Sequence, residues 1–148
     1  MRDDPLLSQL VNTIMKDGKK MRAQRFVAEA LLEVRARTHA DPYATLCTVI
    51  EQCSPMLKLV STRKGSKNVP VPFPLNERQR RRRAIKWIIQ GANKRSERGF
   101  PKRLASEIIA VTHGQSIALE NRMRLHKEAL AARSNVQAGT SQGQSRRF

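Results

Sequence analysis

The sequence predicts a mainly α fold, a bundle of about six helices with a projecting two-stranded β-ribbon arm between helices three and four. Three observations carry that expectation. Apolar residues recur at spacings of three and four along most of the 148 residues, Asp-Pro, Asn and Ser cap signals cut these stretches into helix-sized pieces, and the period switches to that of extended chain once, at about residues 56–73. Residues 1–134 suit one helical domain with a single core, and residues 135–148 read as a flexible C-terminal tail.

Each element has a local reason. Asp4-Pro5 offers an N-cap and a first-turn proline, Leu6, Leu7, Leu10, Val11, Ile14 and Met15 form one stripe, and Asp17-Gly18 stops it, giving a first helix from about Asp4 to Lys16. Ala23, Phe26, Val27, Ala30, Leu31 and Val34 place a second helix from about Lys19 that fades at Arg37-Thr38-His39. Asp41-Pro42 repeats the cap signal, and Leu46, Val49, Ile50 and Cys53 carry a third helix until Ser54-Pro55 breaks it.

Met56 to Val60 and Val69 to Phe73 then read as two extended runs, with a flexible basic tip from Arg63 to Asn68 between them. Proline cannot donate to a ladder, so Pro70, Pro72 and Pro74 predict pairing that is weak, one-sided or bulged. A fourth helix should run from about Asn76 to Arg95, with Ala84, Ile85, Ile88, Ile89 and Ala92 buried. Pro101 opens a fifth that ends before Gly114, and Ser116 caps a sixth that reaches about Ala132.

Charge is distributed very unevenly over this frame. Of the total of +17, a formal +12 falls between Ser61 and Arg103, where 14 Lys and Arg meet only Glu77 and Glu97. So much like charge in one place is costly unless a polyanion neutralises it, and nucleic acid is the commonest one. Within the stretch, Arg80, Arg81, Arg82 and Arg83 stand in a row at the start of the fourth helix. Successive helical residues point about 100° apart, so these four sweep round the axis and would meet phosphates on several sides. Cations in a first helical turn also oppose the macrodipole, so something other than helix stability selected them. The planar fork of Arg suits phosphate oxygens.

Other chemistries find little support. Cys47 and Cys53 have no second pair and no His at zinc spacing, and read as reduced core or near-core thiols. His39, His113 and His126 are scattered, with no nucleophile, base and orienter between them, so no enzyme activity is expected. Asp3, Asp4 and Asp17 read as caps and turn residues rather than a metal cluster, and no cofactor is expected. Trp87 sits in an Ile-rich helix and reads as core, and six aromatic residues in all make a poor stacking platform. No membrane span is expected. The opening Met-Arg-Asp-Asp-Pro suits neither a secretory signal nor a mitochondrial presequence, so any targeting segment is expected to be gone from this numbering.

Four stretches resemble the small-subunit ribosomal protein seven family. They are Asp4-Pro5-Leu6-Leu7 with Met15-Lys16-Asp17-Gly18-Lys19-Lys20; Val60 to Gly65 leading into Val69-Pro70-Val71; Arg83-Ala84-Ile85-Lys86-Trp87-Ile88; and Leu125-His126-Lys127 with its alanine-rich sequel. The resemblance implies a structural constituent of the small ribosomal subunit that organises the 3′ major (head) domain of small-subunit rRNA. By the same resemblance, the arm lies near exit-site tRNA and the mRNA path. RNA-binding residues carried over in this way are Lys16, Lys19, Lys20 and Arg22 beside Gly18; Arg63, Lys64 and Lys67 at the tip; and Arg78, Arg80, Arg81, Arg82 and Arg83; Lys94 and Arg95 at the end of the fourth helix are expected to bind RNA as well.

Implied partners are the rRNA and neighbouring small-subunit proteins, with no homo-oligomer. The run from Val69 to Pro74 followed by Arg80 to Trp87 is more similar to the mitochondrial branch than to the bacterial one, which implies the mitochondrial matrix, with the bacterial cytoplasm as the alternative. The tail does not match the family's aromatic-rich end, so no contacts are carried over to it. The same charge also suits a general basic nucleic-acid-binding, architectural protein, although zinc, heptad and minor-groove wedge signatures are missing.

Overall fold

A computed structural model describes residues 4–136. Its elements follow in the expected order: α1 (Pro5–Ile14), α2 (Lys20–Thr38), α3 (Pro42–Cys53), β1 (Leu57–Lys64), β2 (Lys67–Pro74), α4 (Glu77–Asn93), α5 (Phe100–Thr112), α6 (Ile117–Ala131) and a closing 3-10 turn, Arg133–Asn135.

Four helices, α1, α3, α4 and α6, begin where the chain supplies an acceptor for an orphan first-turn N–H, whereas α2 and α5 start without a side-chain cap. The Leu6 amide donates to Asp4 Oδ1 at 2.9 Å, the Tyr43 amide to Asp41 Oδ1 at 3.0 Å, and the Ala118 amide to Ser116 Oγ at 3.1 Å. At α4, Asn76 and Gln79 bond reciprocally at 2.9 and 3.2 Å as a capping box. Asp4 also accepts a short hydrogen bond from the Tyr43 hydroxyl, which ties α1 to α3 and holds the carboxyl below its usual range. Between α1 and α2 the chain reverses through two left-handed residues, Asp17 at φ 56° and Gly18 at φ 71°, residue types that tolerate this conformation.

α4 runs through the middle and touches α1, α3, α5 and α6. Its Ala84, Ile85, Ile88 and Ala92 meet Leu6 and Leu10 of α1, Val34 of α2, Leu46, Val49 and Ile50 of α3, and Leu104 and Ile108 of α5 in one core. Trp87 packs against that core while staying half-buried. Cys53 is wholly buried and its thiol is pushed up to about 12, chiefly by desolvation, while Cys47 is partly exposed; both thiols are free.

One polar cluster lies inside this apolar frame. Glu107 of α5, 2% exposed, accepts from Arg95 Nε at 2.8 Å and from Ser116 Oγ at 2.5 Å. Ser116 therefore caps α6 and bonds α5 at once. Gly91 of α4 faces the carboxylate so closely that an added Cβ would sit 2.4 Å from Oε1.

The ribbon takes the one-sided form among the pairings expected of its prolines, and corrects the sequence expectation at its tip. All eight residues of β1 pair with all eight of β2 in one unbroken antiparallel register, from Leu57 opposite Pro74 to Lys64 opposite Lys67. The prolines permit this because they alternate. The Leu75 amide donates to Met56 O at 3.0 Å, which makes residues 56 and 75 a hydrogen-bonded pair; Pro74, Pro72 and Pro70 then all fall in non-bonded pairs, so their missing donors face away from β1. Nor is Arg63 to Asn68 a loose loop. The ladder continues to a two-residue turn, Gly65-Ser66, with Gly65 at φ 64° in the first central position of a type II′ hairpin.

Of the segment read as a tail, Asn135 and Val136 are described: Asn135 lies in the final turn, and its Nδ2 donates to Pro70 O of the ribbon at 3.0 Å. The rest of that expectation lies outside the described residues.

Candidate nucleic-acid interface

The fold sorts the four consecutive arginines into different jobs. Arg80, with a side chain 18% exposed, turns inward: Nε donates to Pro55 O at 3.2 Å and an NH2 nitrogen to Glu51 Oε1 at 3.3 Å. Arg81 leans toward α1 and its buried Nε has no partner among the described residues. Arg82 is exposed and Arg83 half-buried, on the side of Trp87. The divergence follows from the rotation per residue and from which neighbour each direction meets.

Three concavities gather ten of the cations. Between α1 and α4 lies a groove of about 630 Å³, where Ser8, Gln9 and Asn12 face Arg78, Arg81, Arg82 and Lys86. Between the ribbon root and α4 lies a second, of about 410 Å³, with Lys58 of β1 opposite Arg82, Arg83, Lys86 and Trp87. A third, of about 340 Å³, is bounded by the α1–α2 reversal and the start of α5, with Lys16, Lys19, Arg22 and Arg103 around Phe26 and Phe100. These two rings sit 5.9 Å apart, and the Arg22 and Arg103 guanidinium groups lie 5.3 Å over Phe26 and 5.9 Å over Phe100.

The concavities are contiguous. The first and second share Arg82 and Lys86, and the first and third share Thr13, so one basic band passes from the helix reversal across α4 to the ribbon. Arg63, Lys64 and Lys67 form a separate basic group, exposed at the ribbon tip, with no Lys or Arg on the ribbon between them and Lys58. Lys20 and Lys94 are exposed outside the three concavities. Arg95, also expected to bind RNA, is committed to Glu107.

Lys58, Lys86 and Arg103 were missed by sequence reasoning. Lys86 was within reach of it, because Arg78, Arg82 and Lys86 follow one another at spacings of four and share a helix face. Lys58 and Arg103 had no such signal, since they join the band only through tertiary packing. Among the described residues no group of His, Cys, Asp and Glu could hold a metal ion, and no helix is long and apolar enough to cross a membrane.

The family model described as ribosomal protein S7p/S5e matches residues 1–133. The small ribosomal subunit protein uS7m of Schizosaccharomyces pombe is 39% identical over 133 residues, covering 90% of this chain and 51% of the yeast protein. Small ribosomal subunit proteins uS7 of Rickettsia bellii and Rickettsia prowazekii are each 36% identical over 126 residues, covering 85% of this chain and 77% and 79% of the rickettsial proteins. The chain thus spans about half the length of the yeast relative and more than three-quarters of the rickettsial ones.

Proposed function

Because this chain belongs to the ribosomal protein S7p/S5e family, we propose that it is a non-catalytic structural constituent of the small ribosomal subunit that binds and organises the 3′ head domain of its rRNA. The observation that carries the binding mode is the continuity of the basic band. A phosphate backbone lying along it meets Lys16, Lys19 and Arg22, then Arg78, Arg81, Arg82 and Lys86, then Arg83 and Lys58, and the ribbon tip offers a separate contact farther out. Affinity comes mainly from phosphate contacts and counterion release. Selectivity comes from shape, because rigid helix faces and a ribbon at a set angle fit a folded RNA junction and not a straight duplex.

The compartment we propose is the mitochondrion, on the likeness to the yeast uS7m and on the Val-Pro repeat and arginine run described above. The ribbon then reaches toward exit-site tRNA and the mRNA path, and neighbouring small-subunit proteins cover part of the remaining surface.

The test is binding of the purified protein to the 3′ domain of small-subunit rRNA, mitochondrial and bacterial, against duplex DNA of equal length across a salt series. With about eight phosphates neutralised, log affinity falls with log salt at a slope of roughly −6 to −7, and the RNA is preferred. Equal affinity for the duplex would overturn the assignment in favour of a general basic binder, and a slope near −1 would remove the electrostatic mechanism.

A further inference from the structure

The segment from which the arm leaves the helical body, Ser54-Pro55-Met56, is held by three side chains from elsewhere in the chain. Arg122 Nε of α6 donates to Ser54 O at 3.1 Å. Arg80 Nε of α4 donates to Pro55 O at 3.2 Å, and the same guanidinium reaches Glu51 of α3. The Met56 amide donates to Nε2 of His126 on α6 at 3.1 Å, which requires that nitrogen to be unprotonated. Three successive residues thus have a backbone group fixed by a charged or aromatic ring donor or acceptor, and Met56 O closes the ladder by accepting from Leu75. Ser54 and Pro55 are themselves fully buried, so the clamp sits on the edge of the core and not on a loop in solvent.

We propose that Arg80, Arg122 and His126 are positioning residues that set the angle at which the arm leaves the body, and that Arg80 has this job in place of an RNA contact. The geometry gives such a device leverage. A two-stranded ribbon packs on one side at most, and this one extends eight residues from its root, about 26 Å at the usual rise per residue. At that length a swing of about 20° carries the tip about 9 Å, more than the spacing between neighbouring phosphates. Beyond the root the ribbon also packs against α6 and the final turn, where Val71 is buried and Asn135 donates to Pro70 O. The root clamp, in contrast, ties the arm to α3, α4 and α6 together.

His126 makes the clamp sensitive to acid. Burial and two cations, Arg122 on its own helix and Arg80 on α4, hold its pKa below the ordinary value, and Arg80 is itself paired with Glu51 of α3. Protonating Nε2 turns the acceptor of the Met56 amide into a donor facing a donor, and the third point of the clamp is lost.

The device is tested on free protein, so its failure is distinguishable from failure of the RNA-binding assignment. Nitroxide labels are placed at the tip by Ser66→Cys and on the body by Gln115→Cys, in a Cys47→Ser background with the buried Cys53 left in place, and the distance distribution is measured by pulsed electron resonance. The parent gives one narrow distribution near neutral pH that broadens at least about twofold as the pH falls well below the ordinary histidine pKa of about 6.5. His126→Gln, whose amide oxygen can accept from Met56, stays narrow throughout, whereas His126→Phe is broad throughout. Arg122→Ala and Arg80→Ala are broad at neutral pH with helix content unchanged. A width that ignores both pH and His126→Phe would overturn the proposal, and this arm of the test needs neither arginine variant to fold.

Discussion

Removing the Glu107 carboxylate should reverse the effect of adding a methyl group at Gly91. In the native protein Glu107 is held from two sides, by Arg95 at 2.8 Å and Ser116 at 2.5 Å, so it is not a free chain end that can step aside. Gly91→Ala would place Cβ 2.4 Å from Oε1 and 2.6 Å from Cδ. Overpacking of this kind costs roughly 1–3 kcal/mol, and the ion pair strained in relieving it moves the expectation to the upper half of that range. The helix-propensity gain of Ala over Gly, about 1 kcal/mol, offsets part of it, leaving a net loss of about 1–2 kcal/mol.

Glu107→Ala alone leaves the buried Ser116 hydroxyl without its acceptor and Arg95 without its partner. Breaking a buried pair costs about 3–5 kcal/mol, and because the Arg95 side chain is about a third exposed and can rehydrate, the lower end, about 3 kcal/mol, is expected. In that background the clash is gone and Gly91→Ala should stabilise by up to about 1 kcal/mol, which makes the coupling between the two positions about 2–3 kcal/mol. Urea unfolding of the four proteins, followed by far-ultraviolet circular dichroism, measures it. A Gly91→Ala cost that is the same in both backgrounds to within about 0.5 kcal/mol would refute the reasoning, because residues in steric contact cannot be additive.

Three further outcomes follow from the same geometry. Replacing Arg78, Arg82 and Lys86 together by Ala should lower rRNA affinity and flatten the salt slope by about 2–3 while helix content stays native, whereas Arg80→Ala alone should change that slope by well under about 0.7, the share of one phosphate contact, and lower the unfolding midpoint instead. Stability against pH should fall in two windows on acidification. His126 has a depressed folded pKa, so its contribution is full above the unfolded value of about 6.5 and is lost as pH falls from there through the folded value; Asp4, depressed by the Tyr43 hydroxyl, and Glu97, depressed by Ser106 and Arg37, are expected to contribute above about pH 4 and to lose that contribution below it. Denaturant midpoints at a series of pH values check both windows, and a His126→Gln protein that keeps the upper one would exclude His126 as its source. Finally, Cys47 should react with a thiol reagent in the native protein while Cys53, wholly buried with its thiol raised to about 12, reacts only on unfolding; equal native rates would contradict the packing of α3.

What the chain reveals without its structure is what depends on near neighbours in sequence. The caps at Asp4, Asp41, Asn76 and Ser116 and the stripes they open are local, because a helix closes its bonds within four residues. Hence six helices, one ribbon and a basic segment between Ser61 and Arg103 were legible, and the family resemblance reinforced them. The ribbon shows where local rules stop short: three prolines taken singly argue against pairing, yet at alternate positions they spare the ladder, and only the register decides which edge they occupy.

Which cations face outward was a tertiary decision. Arg80 and Arg82 are two residues apart with the same chemistry, but one direction off α4 meets Pro55 and Glu51 while the other meets two open grooves. Arg95 likewise reads as one more cation until α5 brings Glu107 against it, and Lys58 and Arg103 enter the band only when distant segments pack. Amount and sign of charge are sums over residues, so the sequence determined them. The shape of the charged surface depends on rotation about each helix and on what lies beside it, and that was settled only when the core closed.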